Sequence, residues 1–216
     1  MDAMPPEKPP LIAQLDPSVK HDLEQWRKNK LKHPDKPKPL TVENYGPIKS
    51  MTLASDWKDL GIWPRSKNPL DKSHGGNRYK HHDYRLKGSD CTLWIPYDPY
   101  PDSHVAKAKA IIDTTTEPVS KEKWSELTGI FGSLPTPHFF TIHSVRISNL
   151  AGKRIVELEG IFKKDNHWEK TIYVSLSGDW NQHYEFGIGG SSDRATFDKE
   201  VAKFDKALKT VVWKSE

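Results

Sequence analysis

Four groups of side chains in this 216-residue chain have the types and spacing for chemistry. The first is His74, His81, His82 and Asp83, where imidazoles and a carboxylate supply the donors that zinc prefers. Successive residues of a strand point to opposite faces, so His81 and His82 reach one ion only across a bulge. No H-x-x-x-H helix accompanies them, and an exposed loop–strand segment is the plainer reading. Cys91 is the only cysteine, a nucleophile in principle. It lies in an apolar run, where a cysteine behaves as a small hydrophobe. No G-x-S-x-G elbow is present for a serine alternative. Glu157 and Glu159 share one strand face, the arrangement of a glycosidase carboxylate pair or of a solvated sheet face; the latter is expected. The run Gly187-Ile188-Gly189-Gly190-Ser191-Ser192 precedes a helix, where backbone N–H groups can hold phosphate. It matches neither G-x-G-x-x-G nor G-K-[ST], so a plain turn is expected. Trp63, Trp94, Tyr97 and Tyr100 add aromatic density near prolines. Trp94 is expected in the core, and Tyr97 with Tyr100 as a contact patch for a partner.

Positioning these groups requires a fold, and the last seventy-five residues are the clearest part of it. Phe140 to Ile147 alternates as a strand, and Asn149 to Lys153 carries turn residues. Arg154 to Phe162 is a second strand, with Val156, Leu158 and Phe162 on one face and the two glutamates opposite. Ile172, Val174 and Leu176 mark a third strand, and Tyr184, Phe186 and Ile188 a fourth, with turns at Asp165-Asn166 and Ser177-Gly178-Asp179. These runs predict an antiparallel sheet covered on one face and polar on the other. Phe197, Val201, Phe204 and Leu208 then fall at helical spacing between Asp193 and Lys209, an apolar stripe made to lie on that sheet. Val211-Val212-Trp213 returns as a strand.

Upstream the signals are thinner. Residues 1–40 read as a proline-punctuated tail, a short helix opened by Asp16-Pro17, and a Pro/Lys linker through Pro34, Pro37 and Pro39. The globular part, 41–216, opens with a strand from Ile48 to Leu53 that ends at Ser55-Asp56-Trp57. Residues 61–77 read as loop, Arg78 to Leu86 as a polar strand, and Cys91 to Ile95 as a buried one. Asp102 caps a helix with Val105, Ala108 and Ile112 on one face, and Ser120 another with Trp124, Leu127 and Phe131.

Net charge is +4; residues 1–90 carry 17 Lys/Arg against 12 Asp/Glu, and the remainder 16 against 17. That surplus is too thin for a nucleic-acid stripe. A single cysteine excludes an intrachain disulfide. No 18-residue apolar run exists, so no membrane-spanning helix is expected. The opening MDAMPPEKPP lacks the apolar core of a signal peptide, which implies the cytoplasm; a leader upstream of Met1 would instead imply the periplasm or a lipoprotein.

Four strands, a helix and a strand, ending Phe204-Asp205-Lys206-Ala207-Leu208-Lys209-Thr210-Val211-Val212-Trp213, resemble the end of PsbP-type α/β sandwiches. Ile48 to Trp57 resembles the opening strand of such domains, and Asn149 to Gly160 their central hairpin. The globular part also resembles uncharacterised bacterial proteins of that layout. The resemblance covers about residues 45–216 and implies a non-enzymatic accessory, chaperone-like or docking role, with no binding residue carried over. The expectation is therefore an α+β domain, an antiparallel sheet with helices on its faces behind a helical arm. It acts as a non-catalytic protein-interaction module with another protein as partner, no cofactor and no nucleic acid. The alternative is a metal-dependent enzyme or metal binder using the His74–Asp83 region.

Overall fold

The computed structural model describes residues 21, 38–63, 81–101, 105–115, 119–128, 140–163 and 165–215. The chain divides into two compact units, Met1–Pro37 and Lys38–Glu216. The predicted N-terminal helix and the linker as far as Pro37 lie outside the described residues.

The second unit is an α+β arrangement built on antiparallel sheets. A three-stranded sheet has the order β1-β2-β11, from β1 (Leu40–Tyr45), β2 (Ile48–Leu53) and β11 (Val212–Trp213). A larger sheet runs β3-β4-β5-β10-β9-β8-β7. Its strands are β3 (Trp57–Trp63), β4 (His81–Leu86), β5 (Thr92–Pro96), β7 (Phe140–Leu150), β8 (Lys153–Phe162), β9 (His167–Val174) and β10 (Gln182–Gly189). The two-residue β6 (Tyr100–Pro101) pairs with β10 beside that path. Three helices complete the described structure: α1 (Val105–Thr114), α2 (Lys121–Thr128) and α3 (Arg194–Leu208).

The C-terminal meander follows the alternation of its sequence. β7 to β10 pair in succession, and α3 follows with Phe197, Val201, Phe204 and Leu208 all buried. Asp193 caps α3, its carboxylate accepting from the Thr196 N–H at 2.8 Å. Ala151 and Gly152, both at positive φ, make the two-residue turn between β7 and β8. β11 joins β2, not the meander, and the Trp213 Nε1–H donates to the Leu150 carbonyl at 2.9 Å, tying the two sheets together.

Several expectations are corrected. Trp57 does not end a strand; it opens β3, and Gly61 to Trp63, read as loop, belong to that strand. Leu40–Tyr45 forms a strand that no alternation announced. The large sheet is not polar on one side, because its two faces carry separate cores. The α3 face packs Leu93, Ile95, Ile172, Phe186 and Ile188 under α3 and against Val42, Ile48, Met51 and Leu53 of the small sheet. The opposite face packs Val145, Ile147, Val156, Leu158 and Tyr173 against Ile112 of α1, Val119 and Trp180, with Trp124 of α2 at the margin. A bulge between Ile142 and Ser144 shifts β7 by one residue, which puts Phe140 and Val145 on the same side. Asp102, Phe131 and the rest of the 61–77 segment lie outside the described residues.

The hairpin turn between β1 and β2 is pressed against the end of β5. A Cβ on Gly46 would sit 2.0 Å from the Pro96 carbonyl oxygen, so only glycine fits. Its φ of +51° adds the same requirement.

Candidate functional site

The opposite face of the large sheet is only partly roofed by described residues. Over β7, β8 and β9 it is closed by the cluster around Ile112 and Trp180. Over β4, β5, β10 and the start of β9 it carries a groove of about 320 Å³, lined by side chains that strand alternation brings to one side. His81 and Asp83 come from β4, Thr92 and Trp94 from β5, and His167 and Glu169 from β9.

Gly189 and Gly190 line the groove, and Gly187 lies beneath Trp94. Gly187 faces Trp94 across one ladder and Thr171 across the other; Gly189 faces Thr92 and Glu169. A Cβ on Gly187 would meet the Trp94 ring at 2.4 Å, so the indole crosses β10 only because position 187 has no side chain. Glu169 leans over Gly189 from the other strand, its Cγ 3.1 Å from the position a Cβ there would take. Trp94 and Glu169 are therefore seated on glycine backbone at neighbouring positions of β10 and both line the groove. Trp94, expected in the core, is half-buried on the face away from Leu93 and Ile95.

Two histidines flank the groove, each beside a carboxylate two residues on. His81 Nε2 lies 3.2 Å from Asp83 Oδ1, and His167 Nε2 lies 3.7 Å from Glu169 Oε2. The imidazole of His167 also stacks on Phe162 with centroids 5.4 Å apart. Next to the groove lies a second depression, lined by Lys58, Arg85, Lys87 and the shared Asp90. The Arg85 Nε–H reaches Thr92 Oγ1 at 3.4 Å, and the Lys87 ammonium donates to the Ser55 carbonyl at 3.0 Å.

The candidates read from sequence part company here. His82 turns to the α3 face, as strand geometry requires, where its Nε2 lies 2.6 Å from Asp59 Oδ1 and its ring stacks on Tyr84. The Tyr84 phenol is raised above its ordinary pKa, first by burial and then by the Asp59 charge. Among the described residues no group of three or more His, Cys, Asp or Glu side chains is placed to hold a metal ion. His74 lies outside them. Tyr97 is 52% exposed, with its ring 5.6 Å from that of Tyr45. It belongs to a cluster with Tyr45 and His82 and does not join Trp94. Tyr100 pairs through its backbone with His183, and its side chain is outside the described set, as is that of Trp63.

Cys91 is fully buried ahead of β5. Burial pushes its thiol up to about 12, helped by the hydrogen bond and charge of Glu200 on α3, which disfavours the thiolate. The expected solvated face under Glu157 and Glu159 is corrected: both are largely buried between the sheet and α3. The Lys170 ammonium lies 3.0 Å from Glu157 and donates to Asp205 at 2.7 Å, and Arg194 meets Glu159 at 2.7 Å. Gly187 and Gly189 are strand residues, and the Asp193 carboxylate caps the N-terminus of α3 by accepting from the Thr196 N–H.

No protein-family model matches the chain, no curated protein matches it, and no solved structure matches it. Among the described residues no helix is long and apolar enough to cross a membrane.

Proposed function

We propose that the chain is a non-catalytic accessory protein whose globular unit docks another protein on the groove beside Trp94. One observation carries this reading. The α1–α2 side roofs only part of the opposite face, and among the described residues the neighbouring part carries an indole, two His–carboxylate pairs and a basic depression. Large aromatics beside fixed polar groups are what docking surfaces use. The buried Cys91 thiol supports the same reading, because the lone cysteine is unsuited to attack. The resemblance to PsbP-type sandwiches, with strand–strand–strand–strand–helix–strand at the C-terminus, points the same way. Tyr97, exposed at the β5 end, is a second contact point.

The test uses the full chain. A partner captured in the native host is purified and its binding measured against Trp94→Ala and Tyr97→Ala variants. Binding is expected to weaken about 10-fold or more for Trp94→Ala, the loss of one aromatic anchor. Unchanged binding of Trp94→Ala to that purified partner overturns the groove as the docking surface.

A second reading is favoured by the repeated His-x-carboxylate spacing. Two imidazoles at one groove, each with a carboxylate within 4 Å, are the residue types that acid–base hydrolysis uses. On this reading His81 and Asp83 carry the part assigned to the His74–Asp83 region, without a metal step. Turnover of an ester or phosphodiester substrate, abolished by His81→Ala and by His167→Ala separately, would establish it.

A further inference from the structure

Resting on the docking reading, we infer that the group seated in the groove is a cationic side chain, an arginine or lysine of the partner protein, lying over the Trp94 indole beside Glu169 and Asp90. Charge is the first argument. Among the described residues, the titratable groups lining the groove are three carboxylates and two imidazoles. With the carboxylates ionised, the described lining sums to between −3 and −1 whatever the imidazoles carry, so these residues favour a cation over an anion. The nearby Arg85 rests on Thr92 and lines the adjoining depression with Lys58, which makes the two lobes opposite in sign.

The second argument is a precedent within the same sheet. On the α3 face the Arg194 guanidinium lies 4.3 Å over the ring of Trp168. It is clamped by Glu159 at 2.7 Å and Asp198 at 2.8 Å. An indole face attracts a cation through its quadrupole, and flanking carboxylates fix the direction of the N–H groups. Trp168 and Glu169 are consecutive, so β9 presents its indole to one face and its carboxylate to the other. The groove repeats the same parts with Trp94 as the platform and Glu169 as the clamp.

Shape is the third. The Trp94 indole lies over Gly187 and Glu169 leans over Gly189, and the groove that both side chains line is the slot a flat, slender group would enter. Guanidinium fits it by planarity and a lysine ammonium by its narrow stem.

The experiment follows backbone amide shifts of Thr92, Trp94, Glu169 and Gly187 in the isotope-labelled full chain. The probes are N-acetyl-arginine amide, the isosteric uncharged N-acetyl-citrulline amide, and inorganic phosphate. Saturable shifts are expected with the arginine probe, with affinity at least about 10-fold weaker for citrulline and for arginine on Glu169→Gln or Trp94→Leu. Retained amide dispersion in the variants shows that they fold. Equal binding of citrulline and arginine overturns the cation and leaves groove docking standing, with an uncharged guest. Shifts from phosphate and none from arginine overturn it in favour of an anion. Absence of any shift with arginine overturns it as well. Failure of the docking reading is recognised separately, by the purified partner's indifference to Trp94→Ala.

Discussion

Lys170 sits on β9 beneath α3, 7% exposed, between Glu157 and Asp205. Burial acts to lower its pKa, but the Glu157 charge and the Asp205 hydrogen bond outweigh it and the net shift is upward. For Glu157 burial acts to raise the pKa, and the Lys170 charge with the Ser148 hydrogen bond outweighs that, so the net shift is downward. A lowered carboxylate contributes stability that is present above its unfolded pKa and lost as pH falls through its folded one. Glu157→Gln is therefore expected to destabilise at pH 7 by about 3 kcal/mol, since Lys170 keeps only Asp205. The difference from wild type should shrink as pH falls below the ordinary carboxylate range, read by urea titration across pH. Lys170, being raised, contributes fully below its unfolded pKa and loses that contribution only in strong alkali. Cys91 yields a second residue-level expectation. With its thiol near 12, iodoacetamide at pH 8 should label it only as fast as the domain opens, measured by mass spectrometry with and without urea.

At the scale of elements, α3 and the meander were legible because their signals are local and unmixed. One apolar stripe, one capping aspartate and turn residues between alternating runs suffice. Phe204→Ala is expected to cost about 3–5 kcal/mol, because a ring at 0% exposure leaves a cavity between α3 and Phe186. Asp193→Ala, which removes only the cap, should cost about 1 kcal/mol by the same thermal or urea measurement. β3 was not legible: a bulge between Asp59 and Gly61 breaks its alternation, and Gly61 reads as loop. Coverage of both sheet faces was hidden for another reason. Glu157, Glu159 and Lys170 occupy the buried α3 face as ion pairs, so polarity and burial do not coincide there. The groove could not be seen in any one window, since Trp94, Gly187 and Glu169 meet only through three non-local strands. Its one linear trace was His-x-Asp at 81–83 and His-x-Glu at 167–169, a period-2 spacing that places each pair on one face.

Across the whole second unit, one large sheet separates two cores, and the small sheet closes the α3 side. That closure depends on the last described strand: Lys214 N–H donates to the Pro47 carbonyl, and Thr52 N–H to Thr210 Oγ1. Ending the chain after Thr210 should remove Val211 and Trp213 from the core, expose Ile48 and Phe186, and lower the thermal midpoint by about 10 °C or more, since a buried Trp side chain alone is worth about 3–5 kcal/mol.

The partners Thr52 and Thr210 stand 158 positions apart. On a ribosome, the first hairpin must wait with one lip vacant while nearly the entire unit is translated. Loop-closure entropy makes so distant a pairing slow, and an unfilled lip invites mispairing with neighbouring nascent chains. Refolding of this protein should therefore show its final rise in signal at Trp213, with yields that fall as concentration climbs.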